Sequence, residues 1–575
     1  MSRKSPKVYL ILALILVFGG LSYAQDAPAP ALVDPSLSAA PAVDAPRPTT
    51  VNGVVDSIIK REHEVIQDIG ASHPIIETYI QDMAPSKDLG TVPVSDHYFL
   101  GQANFEHGIV DSNMLTKSKS QVGKMQSRLL KLNPLSGGDW GIQFKATFVP
   151  AGFLQMVYVD KTGFDRQHYQ FQYVRTEFLG DVKCYVFDVI PLPKSGKGRF
   201  FGRIWAEDGD YTIVRFNGIY TPVSNATHMN LHFDSWRTNV QPGFWMPAYV
   251  FSQESDLKAT SGEHIRFKAQ TRFWAYNAGK ASHDAEMGNM VIDNVEVKDE
   301  TPVDLSPAQE EREWQREAEN NVLDRLEKVG LVSPVGPVDK IMETVVNNLE
   351  VTNNLDVQPD VRCRVLLTST LESFSIGHTI VVSRGLLDVL PDEASLATVL
   401  AQTLADLIVM KPNTDRWGFN DTTIVDTIDV LRQLSFKDEK IDQDASTKQA
   451  LVLLKKSPYA DKLANTGLFM TQLQAQSKAL KSLINPRLGN HVFTYTDLTG
   501  TAPKLDRLKV DQIAALPVGS RIKLDGWTNQ VSLLNIAKSS LDSAREKFPF
   551  EVTPFIPHLT HYPVPTEAKD AALAN

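Results

Sequence analysis

The sequence predicts an α+β chain of several domains: an antiparallel β domain with helices, then a mainly helical domain, then a small mixed extension. Three observations carry that reading. Between Trp140 and Tyr276 stand 28 of the 49 aromatic residues, in runs of alternating character separated by turn signals. Beyond Asp304 the apolar residues recur at helical spacing instead. Ser333-Pro334 and Gly336-Pro337 interrupt that helical region and mark a junction. A length of 575 residues leaves room for two or more cores.

Taken in order, residues 1–24 read as a cleaved export signal. Arg3, Lys4 and Lys7 precede the apolar run Val8 to Leu21, and Ser22-Tyr23-Ala24 supplies the small-x-small cleavage site. Residues 25–50 are half Pro or Ala and predict an extended tether. Val51 to Asp82 carries Val54, Val55, Ile58, Ile59, Val65, Ile66 and Ile69 at helical spacing, which predicts one or two amphipathic helices opening a domain over 51–300. Ile204 to Glu207 and Tyr211 to Phe216 flank Asp208-Gly209-Asp210 as a hairpin, and Val182 to Val189, His228 to Trp236 and Trp245 to Phe251 read as further strands.

A helical linker over 301–337 follows. Ser306-Pro307 with Gln309 caps its helix, and Trp314, Ala318, Val322, Leu326 and Val329 form one stripe. The mainly helical domain spans 338–485. It opens with a helix from Val338 to Leu349, a strand from Val361 to Thr368 and an extended region from Phe374 to Val382. Its later helices are read at Thr422 to Leu434, Phe436 to Lys456 and Asp461 to Leu480. In the extension over 486–575, Ser520 to Leu524 and Gln530 to Leu534 form a hairpin, and the proline-spaced end Pro554 to Pro565 is extended.

The most informative stretch runs from Ser383 to Pro412, SRGLLDVLPDEASLATVLAQTLADLIVMKP. A strand leads in, Arg384 to Leu387 turns, and a helix starts at Asp392-Glu393 with acidic residues at its positive end. Leu396, Val399, Leu400, Leu404, Leu407 and Ile408 form its buried stripe. This surrounding pattern resembles the gluzincin metalloproteases, the family of the CAAX prenyl-protein endopeptidases and the barrel-assembly-enhancing proteases. The resemblance implies two zinc-binding histidines and a glutamate base in an HExxH helix, with a glutamate ligand on a later helix. Here the three helix positions read Gln402, Thr403 and Asp406, and the third-ligand region reads Asp444-Ala445. An amide is a poor zinc ligand and a hydroxyl cannot serve as a carboxylate base. No catalytic residue, metal site or cofactor is therefore expected, although zinc is what the family carries. The resemblance further implies a substrate edge strand, at Ser373, Phe374, Ile376, Thr379 and Val381.

A second resemblance rests on GRFFGRIWAEDGDYTIVRFNGIY, LHFDSW and GFWMPAYVFSQES, over roughly Val51 to Val297. These segments look like the outer-membrane lipoprotein-sorting carrier fold. That resemblance implies an open β-barrel closed by helices around an acyl-chain cavity, with Trp205, Phe216, Phe233, Trp245 and Tyr249 as its candidate lining. The residues themselves leave a packed aromatic core equally open.

Composition narrows the rest. A formal charge of −10 argues against nucleic acid. Cys184 and Cys363, the two cysteines, read as buried apolar residues, with a bond between them left open. The pairs His228/His232 and His558/His561 lack a third ligand, His378 reads as structural, and Lys194 to Arg199 lacks the phosphate-loop spacing. Asp438, Glu439, Asp442 and Asp444 read as a solvated helix face, and Asn225-Ala226-Thr227 as a glycosylation sequon. The expectation is an exported, non-catalytic pseudo-metalloprotease of the periplasm or cell envelope. Its partner would be a hydrophobic ligand, a lipoprotein acyl chain or an envelope polypeptide, with no membrane-spanning helix once the signal is removed. The alternatives are a metalloendopeptidase with atypical ligands and a structural interaction module without a cavity.

Overall fold

The computed structural model describes residues 48–86, 90–105, 153–221, 231–254, 267–276, 306–410, 443–485, 488–491, 502–506, 509–517, 522–525, 529–534 and 550–562. The expected signal and almost all of the tether lie outside these residues. So do Thr422 to Leu434, the start of the Phe436 helix, His228, the sequon, Asp438, Glu439 and Asp442.

Helix α1 (Val51–Ala71) starts at Thr50, whose side chain accepts from Gly53 N at 3.1 Å, and it buries Val54, Val55, Ile58, Val65 and Ile69. The expected helical character ends there. His73-Pro74 breaks the helix, and Ile75-Ile76-Glu77-Thr78-Tyr79-Ile80 alternates as strand β1 (Ile75–Ser86). Strands β2 (Gly90–Gln102), β3 (Tyr169–Leu179), β4 (Val182–Pro191), β5 (Phe200–Glu207), β6 (Ile213–Tyr220), β7 (Leu231–Gln241), β8 (Phe244–Glu254) and β9 (Phe267–Trp274) follow. They form one nine-stranded sheet in the order β2-β1-β9-β8-β7-β6-β5-β4-β3, every neighbouring pair antiparallel. With β2 and β3 at opposite edges, the sheet is not closed into a barrel.

Alternation along these strands builds two cores, one on each face. On one face Phe200, Phe216, Phe233 and Val250 pack with Val55, Ile58 and Val65 of α1. Phe216 and Phe233 meet edge-on, ring centroids 5.8 Å apart, and each also packs against Phe200. A fully buried ion pair ties α1 to this face: Arg237 on β7 donates to Glu62 through both terminal nitrogens, at 2.6 and 2.7 Å. On the other face Trp205, Trp236, Trp245 and Tyr249 join a core that includes the helical part of the chain.

That part begins with α2 (Pro307–Lys328), capped by Ser306 and Gln309 as the sequence predicts. Ala318, Val322, Leu326 and Val329 are buried, but Trp314 is 53% exposed, so the stripe is one residue shorter than expected. Next come α3 (Pro337–Asn353), β10 (Arg362–Leu366), β11 (Glu372–Ile376), β12 (Thr379–Ser383), α4 (Arg384–Val389) and α5 (Glu393–Met410). Helices α6 (Gln443–Lys455), α7 (Leu463–Gln476) and α8 (Lys481–Ile484) precede β13 (Asn490–His491), α9 (Val510–Ala514) and the hairpin β14 (Ile522–Leu524) and β15 (Val531–Leu533). A four-stranded sheet runs β10-β12-β11-β13. Cys184 and Cys363 are free and buried in the same core, and burial pushes the Cys184 thiol up to about 12.

The seam between the large sheet and the helical part is polar. Buried Glu77 on β1 accepts from Ser369 N at 2.6 Å, from Ser369 Oγ at 2.7 Å and from Tyr98 at 2.8 Å, with Arg272 3.5 Å away. Arg272 itself donates to Leu367 O, and Trp274 Nε1 to Gly330 O at 2.6 Å. Asp96 on β2 accepts from Ser482 N and Leu483 N, both at 2.8 Å.

Removing one partner of a fully buried ion pair leaves a bare charge in the core. Glu62→Ala should therefore lower stability by about 3–5 kcal/mol in urea unfolding. An unchanged midpoint would show that α1 is not held through Arg237.

Candidate functional site

Helix α5 carries the positions that the sequence singles out. Asp392 starts it, its carboxylate accepting from Ser395 N at 2.9 Å, and Glu393 accepts from Tyr459 at 2.8 Å. The helix is buried on more than the expected stripe: Ser395, Thr398, Gln402 and Thr403 are as enclosed as Leu400 and Leu404. Arg384 to Leu387, read as a turn, is the short helix α4, capped by Ser383 Oγ on Leu386 N at 3.2 Å. Gly385 is required there because a side chain would run into the Ser369 backbone.

Within α5, Gln402 Nε2 donates to Asp406 Oδ1 at 3.0 Å. Thr403 Oγ1 lies 2.8 Å from Ser373 Oγ on β11 and 3.3 Å from Val399 O. When Thr403 gives its proton to Val399 O, Ser373 donates to Thr403, so the helix and the strand are bonded across the place where the resemblance would put a cleft. Gln402 Oε1 is buried with no hydrogen-bond partner among the described residues. Ala445, at the third-ligand position, has no donor atom and is half-buried on α6 beside Asp444. This donor set does not fit a zinc ion, which needs three strong ligands. Among the described residues no group of three or more His, Cys, Asp or Glu could hold a metal.

The residues expected as a substrate edge are not one open edge. Thr379 and Val381 lie on β12, the central partner of both β10 and β11. Ser373, Phe374 and Ile376 lie on β11, whose outer side is paired at Glu372 and Ser373 with His491 and Asn490. Phe374 is buried against Gly489. The hairpin tip is pinned as well: Glu319 on α2 accepts from His378 N at 2.6 Å and from Thr379 Oγ1 at 3.2 Å. Burial alone would raise the Glu319 carboxyl, but His378 and Arg316 hold it below its ordinary value. His378 is thus a structural residue.

The aromatic residues expected to line one cavity separate by strand parity. Phe216 and Phe233 belong to the α1 face, whereas Trp205, Trp245 and Tyr249 belong to the opposite face. All five are buried among other side chains. Arg215 shows how tightly: its guanidinium lies 4.3 Å from the Trp205 ring and 4.4 Å from the Trp236 ring while it pairs with Asp234 at 2.9 Å.

A cavity of about 350 Å³ lies instead at the seam, between β2, the segment 368–372 and residues 481–485 and 488. Asp96, Tyr98, Thr370, Glu372, Lys481 and Asn485 are among its lining residues. Buried Glu372 accepts from Gly489 N at 2.8 Å and from the hydroxyls of Thr368 and Thr370. Burial first, then Glu77 and Glu372, push the Tyr98 phenol well up, so it remains a donor. No spacing pattern marks this site, because its residues come together only from three distant segments. His232 bonds Asn217 at 2.8 Å, and His558 and His561 face Asp181 and Glu207 at 3.3 and 3.8 Å.

No protein-family model matches the chain, and no curated protein matches it. Among solved structures it is similar to a domain provisionally assigned as an outer membrane lipoprotein-sorting protein, from Vibrio parahaemolyticus. The identity there is 10%, over 40% of this chain and 98% of that one, with a TM-score of 0.19. It is also similar to a DUF1329 family protein from Desulfovibrio piger ATCC 29098, at 12% identity over 40% of this chain and 94% of that one, with a TM-score of 0.21. Likenesses this slight carry no argument about this chain.

Two tests follow from the geometry. Ser373→Ala and Thr403→Val should each cost about 0.5–1.5 kcal/mol, and the double variant no more than the larger single loss, in urea unfolding. Additive losses would mean that the two hydroxyls are not coupled. Burial, then hydrogen bonding with Asp210, raises the Glu207 carboxyl from its ordinary 4.5 to about 8, and Asp339 and Glu350 shift the same way. The folded state then binds protons that the unfolded state has released, so stability falls as pH rises from 4.5 to about 8. Glu207→Gln should flatten its share of that fall in thermal unfolding; an unchanged pH profile would contradict the assignment.

Proposed function

We propose that the protein is an exported, non-catalytic binding protein of the cell envelope, a pseudo-metalloprotease joined to a carrier-like sheet domain. One observation carries the non-catalytic half. Thr403 at the base position is a hydroxyl bonded to Ser373, and Gln402 at the ligand position is an amide whose nitrogen donates to Asp406. Hydrolysis of a peptide by this class of site needs a polarising ion, an ionised base and room for the substrate strand. Here the base position is a hydroxyl, and the strand's outer side is paired at Glu372 and Ser373 with residues 490–491. The export-signal pattern at residues 1–24, a sheet rich in aromatic residues and the net negative charge support a partner that is a hydrophobic ligand, a lipoprotein acyl chain or an envelope polypeptide. Among the described residues no helix is long and apolar enough to cross a membrane.

A second reading, a structural interaction module without a ligand cavity, is favoured by the five aromatic residues that pack on opposite faces rather than around one space. The working metalloendopeptidase is disfavoured by the donor set. Three measurements on the purified protein separate these readings. Elemental analysis should give no stoichiometric zinc, and unfolded casein should remain uncut with or without a chelator. Chelator-sensitive cleavage that Asp406→Ala abolishes would establish the peptidase instead. A fluorescent lipopeptide that binds and is competed by unlabelled lipopeptide supports the carrier half; no binding and no co-purifying lipid leaves the structural module.

A further inference from the structure

Residues 550–562 have no helix or strand of their own, yet the large sheet holds them from Phe550 to Tyr562. Fully buried Gln81 on β1 uses both ends of its amide: the nitrogen donates to Phe550 O, and the oxygen accepts from Val552 N at 2.7 Å. Tyr249 on β8 donates to Thr553 O at 3.2 Å, and Asp181 N donates to Leu559 O at 2.8 Å. Asn239 near the β7–β8 turn accepts from Tyr562 N at 2.7 Å. Each of these bonds goes to the segment's backbone, so together they fix an extended course without reading a sequence. Hydrogen bonds to the main chain of an extended segment hold it whatever its side chains, while pockets for single side chains give selectivity.

Two aliphatic side chains of the segment are its most deeply buried anchors. Val552 and Leu559, seven residues apart, are each 4% exposed in the core of that face. The larger Phe555 and Ile556 stay 54% and 69% exposed. A segment whose role was to complete the core would bury its largest apolar groups first. Pro554 and Pro557 between the anchors fix two backbone angles in the extended range, which lowers the entropy lost on docking. Other contacts include those of Lys268 with Glu551, His558 with Asp181 and His561 with Glu207, and edge-on ring contacts of Trp245 with His561 and Tyr249 with Phe555.

We infer that this face of the large sheet is a receptor for an extended polypeptide, which residues 550–562 occupy in cis. The partner that fits is an unfolded or proline-spaced chain with aliphatic side chains seven residues apart. The inference goes beyond the reading above, because it depends on neither the α5 helix nor an acyl cavity. The tethered segment competes with any free peptide at high effective concentration, so the groove of the unaltered chain is largely closed to it.

The test uses the full chain carrying Val552→Asp and Leu559→Asp, with a fluorescein-labelled peptide of residues 550–562 followed by anisotropy. The variant should bind that peptide at least about tenfold more tightly than the unaltered chain does. Adding Gln81→Ala should then weaken binding by about fivefold or more. A variant that is folded by circular dichroism and does not bind, or whose binding ignores Gln81→Ala, overturns the inference. Should the variant not fold, hydrogen exchange on the unaltered chain decides. Amides of Val552 and Tyr562 that exchange at least about tenfold faster than those of β8 support a detachable segment. Protection equal to that of β8 makes the segment a fixed part of the core and overturns the inference. Neither outcome depends on zinc content, casein cleavage or lipopeptide binding.

Discussion

A sheet with large apolar side chains on both faces must be covered twice, and that requirement organises this chain. On β5 to β8 the residues of one parity are Phe200, Phe216, Phe233 and Val250, and those of the other are Trp205, Trp236, Trp245 and Tyr249. Each such side chain, fully buried, contributes about 1.5–3 kcal/mol, so neither face could be left to solvent. Helix α1 covers the first face. The second face is wider in demand, and it is met by elements from α2 onward and by residues 550–562. What the sequence pattern separates into a β part and a helical part is joined through one continuous core.

Covering both faces draws polar groups inside, and the chain answers with carboxylates placed on α1 and on the strands β1 and β2. Glu62 neutralises Arg237 beneath α1, Glu77 receives the Ser369 backbone and side chain, and Asp96 receives the backbone of Ser482 and Leu483. Loops that dock on a sheet bring unpaired N–H groups with them, and an ionised carboxylate satisfies two at once. The cavity at the seam sits among these groups. Its polar lining follows from the docking problem as much as from any ligand.

The α5 helix shows the same economy at the position of interest. Gln402 Nε2 is directed at Asp406 and Thr403 at Ser373 of β11, and the β11–β12 hairpin is anchored at its tip by Glu319. A cleft needs a gap between helix and strand, and a hydroxyl pair at 2.8 Å leaves none at that point. The geometry therefore suits a helix and hairpin held rigidly together.

Much of this was legible in the residues. Alternation and turn signals located β4 to β8, the Ser306 cap located α2, and the acidic start and apolar spacing located α5. Those features are local, and local chemistry is what a sequence states directly. Tertiary structure decided everything that depends on which strand lies beside which. The switch from α1 to β1 is set by the sheet that receives Ile75 to Ile80, and the division of five aromatic residues between two faces by register. The partner of Ser373, the carboxylates at the seam and the docking of residues 550–562 on Gln81 join positions up to several hundred residues apart. No spacing rule reaches that far, because such contacts are fixed by the packing of whole elements rather than by the chain between them.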